Sequence, residues 1–594
     1  MIRVEKLSYG FPAKDLYDNI SFTIDAGCHC AVIGSNGTGK STLIDILIHT
    51  DDYLFDGKII KDDECRIGYA GKLSVRDGLK DVSVFEYLGE RFVNVHKDIA
   101  DVCEEMSSAE DMDAVFKKYQ ELLDLNEAMD GDNYENNIHR QLNTAGMESL
   151  ENLSILKISG GEYKLLQIIK EMLLNPNLLI LDEPDVFLDF ANLNSLCRMI
   201  NGYKGTLLVV THNRYLLNHC FDKILHLENG DLQEYEGSYT EYRSSILREK
   251  LDLRIKNITE QEEIKRTEKM VETLRKRATL MINPVIGKSV NAKQSQLDRL
   301  KARQIKAPFI ELREPEISFA SIDRQSDDGG AEQKSVILSL NDYNVEFDRT
   351  LLSNVNFELY RGEKVAVVGA NGTGKTTLVR DIINNSKGEI RIAEGTACVS
   401  LEQFNDRTEK DERTVSSIMA DAGFETKESA AAYLAEFGLT GDILKQKISR
   451  LAGGEQNMLR IALVAYKKAD LLILDEPTSH LDIYAQTALE RALAEYKGTM
   501  LLVSHDFYLI SGCADYVLLA ENNTLRRMSI KKFRKMVYDR YFERTYLEED
   551  KKRQELEKKI QDAFKKDDLE AVERLCGELE QLGLQAENIN PCLI

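Results

Sequence analysis

Two glycine-rich segments carry the most specific chemistry in the chain. Gly34-Ser35-Asn36-Gly37-Thr38-Gly39-Lys40-Ser41-Thr42 and Gly369-Ala370-Asn371-Gly372-Thr373-Gly374-Lys375-Thr376-Thr377 both fit GxxxxGK[ST]. In such a loop the glycines let backbone N–H groups wrap phosphate oxygens and the lysine reaches the terminal phosphates. The hydroxyl, here Ser41 or Thr376, is a ligand for Mg2+. Downstream, LLILDE stands at 178–183 and again at 471–476. An apolar run ending in two carboxylates reads as a buried parallel strand that delivers acids to its carboxyl end. Asp182 and Asp475 are the expected partners of Mg2+ through water, and Glu183 and Glu476 the expected groups that polarise an attacking water. His212 and His505 close a second pair of apolar runs, TLLVVTH and TMLLVSH, 30 residues after the first carboxylate in each case. They are read as contacts to a γ-phosphate.

The elements that must hold these residues come in two copies. The glycine-rich loops are 335 residues apart, whereas ISGGE (158–162) and LAGGE (451–455) are 293 apart. LLILDE and the pair THNRYLL (211–217) and SHDFYLI (504–510) share that 293-residue offset. The first copy therefore holds 42 extra residues between its loop and its GGE segment. The apolar runs before each loop read as buried strands and the residues after as helices. Two copies of one α/β domain, with an insertion in the first, account for the pattern.

At 594 residues the chain is too long for one core. With 77 Lys and Arg against 100 Asp and Glu, it does not coat nucleic acid with its whole surface. No apolar run of about 18 residues is present to span a membrane, and the N-terminal MIRVEKLSYGF lacks a secretion pattern, so the expected location is the cytoplasm. The ten cysteines form no CxxC and are expected as reduced thiols, with Cys28 and Cys30 on one strand face. The charge is unevenly spread. Residues 81–150 hold 17 acidic and 5 basic side chains, and DMDAVFKKYQELLDLNEAM has helical periodicity. A helical hairpin is expected as the insertion at about 84–150, with an acidic face suited to a basic protein surface.

Residues 241–310 reverse the sign, with 17 basic and 9 acidic side chains. Arg275, Lys276, Arg277, Lys288, Lys293, Arg299, Lys301, Arg303 and Lys306 face only Asp298 within 275–306. Residues 240–277 and 290–304 read as two long helices around a mostly apolar tip, 278–287, that is broken by Pro284 and Gly287. Basic helices bind a phosphate backbone with little sequence preference, which makes these nine residues candidate RNA contacts. Residues 311–335 read as a flexible tether, and 540–583 as a C-terminal helical hairpin turning near 565–568.

The loops, GGE segments, LLILDE strands and histidines resemble those of ATP-binding cassette ATPases, and the resemblance covers both repeats. It implies that each ATP is trapped, with Mg2+, between the loop of one cassette and the GGE segment of the other. Gly34–Thr42 would face Ala452, Gly453, Gly454 and Glu455, and Gly369–Thr377 would face Ser159, Gly160, Gly161 and Glu162. It also implies an aromatic stacked on adenine, for which Phe11 and Phe347 stand at the expected distance before NISF and NVNF. Gln403 in VSLEQF matches the family's glutamine at Mg2+. The first cassette lacks one, its place falling near Lys72, and the second GGE has Ala452 where the family has serine. Both departures fall on the Lys40 site, so the Lys375 site is expected to carry most turnover.

Two fused cassettes, a helical arm, a basic two-helix linker and KSVNAKQSQLDRLKA (288–302) are similar to the F subfamily. The implied architecture is α/β: two tandem ABC-type P-loop ATPase domains (1–238 and 336–530) with the arm insertion, an interdomain helical hairpin linker (239–310), the tether and a C-terminal helical extension (531–594). The resemblance implies a monomer bound at the ribosomal tRNA exit site, away from membranes. Its linker would point toward the peptidyl-transferase centre, with 23S rRNA, P-site tRNA and, through the acidic arm, a large-subunit protein as partners. The apparent length of the tip makes the antibiotic-resistance type the expectation. The alternatives are a general factor that relieves stalled ribosomes and the fused ATPase subunit of a membrane importer.

Overall fold

The computed structural model describes residues 1–11, 14–62, 65–71, 80–106, 111–280, 292–299, 315–320, 335–347, 350–385, 387–402, 412–541, 544–566 and 568–587. Met1–Tyr235 with Arg313–Phe542 form one body that contains both cassettes, and Glu236–Leu312 with Glu543–Ile594 form another.

Each cassette is built from two sheets. In the first, Ile2–Phe11 lies between Lys14–Ile24 and Asp56–Lys61 in an antiparallel sheet. The other sheet runs Ile67–Ala70, Leu178–Asp182, Thr206–Val210, His29–Ile33, Lys223–Glu228, Asp231–Glu236, its first five strands parallel. The second cassette repeats the plan. Val336–Glu346 lies between Thr350–Tyr360 and Ile390–Ile392. The larger sheet runs Cys398–Leu401, Leu471–Asp475, Thr499–Val503, Lys364–Gly369, Tyr516–Glu521, Thr524–Ser529, parallel except for its last strand.

Every residue of LLILD and TLLVV is buried. Continuous apolar runs of this kind suit a parallel sheet with both faces covered. The pairs Asp182↔Val210 and Asp475↔Val503 fix the carboxylates at the strand ends. The glycine-rich loops leave the strands His29–Ile33 and Lys364–Gly369, each flanked by strands from distant parts of the chain. That is a topological switch point, where open α/β sheets bind ligands. The following helices are seated by their apolar faces, Leu43, Ile44 and Leu47 in one copy and Leu378, Val379 and Ile382 in the other. At about 1.5–3 kcal/mol per buried Leu or Ile, that packing holds the start of each helix at the loop.

The insertion is three helices rather than a hairpin: Val84–Glu105, Met112–Ala128 and Tyr134–Ala145. Ser83 and Glu86 form a capping box at its start. Asp130 takes φ 52 and a Cβ on Gly131 would lie 1.9 Å from Asn126 Oδ1, so the chain turns there. The added helix buries Ile138 and Leu142 and stacks Tyr134 on Phe92 at 5.2 Å.

Part of the expected tether is packed. Glu316 N–H donates to Glu436 O (2.7 Å) and Phe319 meets Tyr496 edge-on. The helix Ile530–Tyr541 belongs to the second cassette, where Phe533 and Val537 are fully buried. In the other body, Tyr239–Leu280 is one long helix and residues 292–299 are helical, with Leu297 buried against Ile264 and Val271. Arg544–Lys565 and Leu569–Glu587 form the C-terminal hairpin, whose Ile560, Phe564, Val572 and Leu579 pack with Leu247 and Leu251.

Arg275, Lys276 and Arg299 are exposed and Lys293 is half-buried. Arg275 donates to Gln294 Oε1 at 3.1 Å, and Lys276 pairs with Glu272 at 2.9 Å. Lys288, Lys301, Arg303, Lys306, residues 281–287 of the tip and the side chain of Arg277 lie outside the described residues.

Candidate functional site at the cassette interface

Gly39 and Gly374 take φ 99 and 91 immediately before their helices. Only glycine adopts that left-handed turn without strain, and it lets each helix open with unshielded amides and its positive dipole end. Lys40 Nζ donates to Gly34 O and Ser35 O, both at 2.9 Å, and Lys375 Nζ to Gly369 O and Ala370 O at 2.8 and 2.7 Å. Both lysines are buried in their loops, and burial lowers the pKa of Lys375. Ser41, Thr42, Thr376 and Thr377 occupy the first turns.

Asp182 and Asp475 are buried at their strand ends. Glu183 and Glu476 follow with φ 49 in both copies, their N–H groups donating to Val210 O and Val503 O. A left-handed glutamate costs on the order of 1–3 kcal/mol, so its presence in both copies marks a functional turn. Burial pushes Asp475 up to about 6. Burial and then the neighbouring Asp475 push Glu476 up to about 8. Burial and then Lys375 hold His505 down at about 3. His505 N–H donates to Glu476 Oε2 at 3.4 Å. His212 is buried at the matching strand end.

The donor sets Ser41 with Asp182 and Thr376 with Asp475 are all oxygen, one hydroxyl and one carboxylate each. Thr376 lowers the pKa of the Asp475 carboxyl, against the larger effect of burial. Few hard ligands, leaving room for water and phosphate oxygens, fit Mg2+. Gln403 and Lys72 lie outside the described residues. Phe11 and Phe347 are 52% and 68% exposed, open to a stacking partner.

Each loop faces the opposite cassette. Asn36 N–H donates to Asp482 Oδ2 and its amide to His480 O, both at 2.9 Å. Asn371 N–H donates to Asp189 Oδ2 and its amide to Phe187 O, both at 3.0 Å. The other oxygen of each carboxylate caps a helix, accepting from Asn192 N–H and Ala485 N–H at 2.9 Å. A Cβ on Gly454 would lie 1.9 Å from Asn36 Nδ2, and one on Gly161 3.2 Å from Asn371 Nδ2. The structure thus sets Gly34–Thr42 against Ala452–Glu455 and Gly369–Thr377 against Ser159–Glu162. Ser159 and Glu162 form a capping box, Ser159 Oγ accepting from Glu162 N–H at 3.3 Å and Ser159 N–H donating to Glu162 Oε2 at 2.8 Å. Ala452 keeps only its N–H bond to Glu455 Oε2, and so forgoes a cap of about 1 kcal/mol.

Sequence reasoning missed Asp189 and Asp482. It also missed a set of polar contacts on the Lys40 side, most of whose residues are replaced by apolar ones at the 293-residue offset. Arg214 forms an ion pair with Glu490 of the other cassette and lies 4.2 Å over the Tyr508 ring. The equivalent positions are Phe507 and Cys197. Glu228 accepts from Ser35 N–H and Oγ at 2.9 Å, and Tyr484 OH stands 3.5 Å from His226 Nε2. The offset positions of His226 and Tyr484 are Leu519 and Ala191. On the other side Phe507 stacks on Phe533, and Phe190 meets both Phe533 and His505 edge-on.

Paired loops, strand-end acids and GGE turns contributed across an interface define a tandem P-loop ATPase. Family models described as ABC transporter match residues 17–186 and 352–479, about half of the chain, and a second model of that description matches 225–319. The chain belongs to the ABC transporter family, within its F subfamily of ATP-binding cassette ATPases, and is an ATPase of ABC type. It is similar to YfmM, an ABC transporter ATP-binding protein of Bacillus subtilis, at 28% identity over 532 residues, covering 86% of this chain and 96% of that protein. It is similar to the energy-dependent translational throttle protein EttA of Escherichia coli at 27% over 527 residues, covering 85% and 89%. A solved structure of RNase-L Inhibitor shares the fold with a TM-score of 0.54 at 18% identity, covering 91% and 92%. Among the described residues no helix is long and apolar enough to cross a membrane.

Proposed function

We propose that this chain is a ribosome-bound translation factor driven by ATP hydrolysis in the cytoplasm. The observation that carries the reading is its likeness, along 85% of its length, to a protein named a translational throttle. The basic residues of 241–310 support it, because they concentrate in an overall acidic chain the charge that a phosphate backbone attracts. Nothing in that likeness favours the importer alternative.

On this reading the two glycine-rich loops and the opposed GGE turns bind ATP, and Phe11 and Phe347 stack on adenine. Ser41 with Asp182, and Thr376 with Asp475 and Gln403, hold Mg2+, which when bound neutralises phosphate charge. Glu183 and Glu476 orient the attacking water, and His212 and His505 contact the γ-phosphate. The Lys375 site, which keeps Ser159 and Gln403, carries most turnover. The closed monomer occupies the tRNA exit site, its linker reaching 23S rRNA and P-site tRNA and its acidic arm a basic large-subunit protein. Likeness to a throttle favours a general factor over drug protection, so host drug susceptibility is expected to be unchanged by expression.

The test is cosedimentation of the Glu183→Gln, Glu476→Gln double variant with ribosomes. ATP, but not ADP, is expected to bring it into the ribosomal pellet. Failure to pellet with saturating ATP would overturn the reading, and recovery with membrane vesicles would point to the importer.

A further inference from the structure

We infer that His480, which the second cassette contributes, is a positioning residue for Glu183 of the first. The inference rests on the role proposed for Glu183. After LDEP the two cassettes run Asp185-Val186-Phe187-Leu188-Asp189 and Thr478-Ser479-His480-Leu481-Asp482. The third residue takes the same left-handed backbone in both, φ 64 at Phe187 and φ 60 at His480. A bulky residue seldom adopts it. Its carbonyl accepts the amide of Asn371 or Asn36 across the interface, and its two neighbours lead into a capped helix. Each ring is therefore aimed by a pinned backbone.

What the rings meet differs. His480 Nδ1 lies 3.4 Å from Glu183 Oε2, with the two side chains 18% and 14% exposed. The imidazole is backed by Phe187, edge-on at 5.5 Å, and by the turn at Gly453, where a Cβ would stand 3.5 Å from His480 Cγ. Its N–H donates to the carboxylate from the opposite cassette, so the contact exists only when the halves are closed around the Lys40 loop. The reciprocal position holds Phe187, which has no donor, and the polar neighbour of Glu476 is His505 of its own cassette. Glu183 is thus oriented across the interface by a side chain whose counterpart in the other cassette, Phe187, cannot donate.

The experiment uses the full chain carrying Glu476→Gln, so that only the Lys40 site turns over, read as single-turnover phosphate release against ATP concentration. His480→Phe is expected to lower the maximal rate about tenfold, the worth of one hydrogen bond to a charged group, and to leave half-saturation within about twofold. His480→Asn, which restores a donor, is expected to recover most of the rate. An unchanged maximal rate in His480→Phe, a change in half-saturation alone, or His480→Asn as slow as His480→Phe would each overturn the inference. Full turnover in the Glu183→Gln, Glu476→Gln double variant would overturn the glutamate assignments themselves, and His480 with them.

Discussion

Asp189→Asn separates the two tasks of one carboxylate. Oδ1 of Asp189 accepts from Asn192 N–H at 2.9 Å and caps the helix Phe190–Gly202, while Oδ2 accepts from Asn371 N–H at 3.0 Å across the cassette interface. An asparagine caps as well as an aspartate, so with its oxygen toward Asn192 the helix loses only a few tenths of a kcal/mol. Its NH2 then faces the N–H of Asn371, donor against donor, and the cross-cassette bond is abolished rather than weakened. A hydrogen bond to a charged group is worth about 1.5–3 kcal/mol, which is roughly ten- to hundredfold in the closure that assembles the Lys375 site. Steady-state ATPase assays are expected to show kcat/KM down by that factor, with an apparent Tm close to the parent's. Asp189→Ala loses the cap as well, about 1 kcal/mol more, and its Tm falls visibly. Asp482→Asn makes the same cut at the Lys40 site and should cost less turnover. An Asp189→Asn protein with unchanged kcat/KM, or with the Tm of Asp189→Ala, refutes the reasoning.

Glu490→Gln leaves Arg214 buried without its counter-charge, a loss of about 3 kcal/mol, and lowers the apparent Tm, whereas adding Arg214→Met restores most of it. Phe347→Ala removes a stacking surface worth about 1–3 kcal/mol and raises KM for ATP roughly five- to hundredfold, with little change in kcat. Burial pushes Asp185 up to about 6 although Thr211 donates to it. An acid with a raised native pKa favours folding while protonated, and that contribution fades as pH rises from about 4 through 6. Asp185→Asn is therefore expected to raise the apparent Tm at pH 7.5, to raise it less near pH 4.5, and to make little difference below about pH 3.5.

The phosphate loops, strand-end acids and GGE turns were legible because each is a local pattern of which residue types are possible. The pairing of Lys40 with Ala452 came from the resemblance to ATP-binding cassette ATPases, in which each GGE segment serves the opposite cassette. The arm was read as two helices because its third, around Ile138 and Leu142, has a short apolar stripe among polar residues. The turn that frees it depends on Gly131 meeting Asn126, a contact no periodicity shows. Asp189 and Asp482 were not legible as site residues, because only the placement of loops 182 and 446 residues away reveals the second oxygen of each at work. The helix Ile530–Tyr541 counted as extension until Phe533 proved to be core.

The interface polarity follows from the same repeat and bears on how the halves part. A buried ion pair adds little net stability, since the cost of desolvating Arg214 and Glu490 offsets most of their attraction, but it is intolerant of misplacement. Packed rings such as Phe190, Phe507 and Phe533 gain from burial and tolerate small shifts. The Lys40 side, with Arg214–Glu490, Glu228–Ser35 and His480–Glu183, therefore sets the register in which the cassettes meet. The Lys375 side keeps the directional bonds from Asn371 to Asp189 and Phe187 and sets beside them rings that tolerate small shifts. The site proposed to carry most turnover, the one that kept Ser159, is thus the one flanked by the more tolerant contacts.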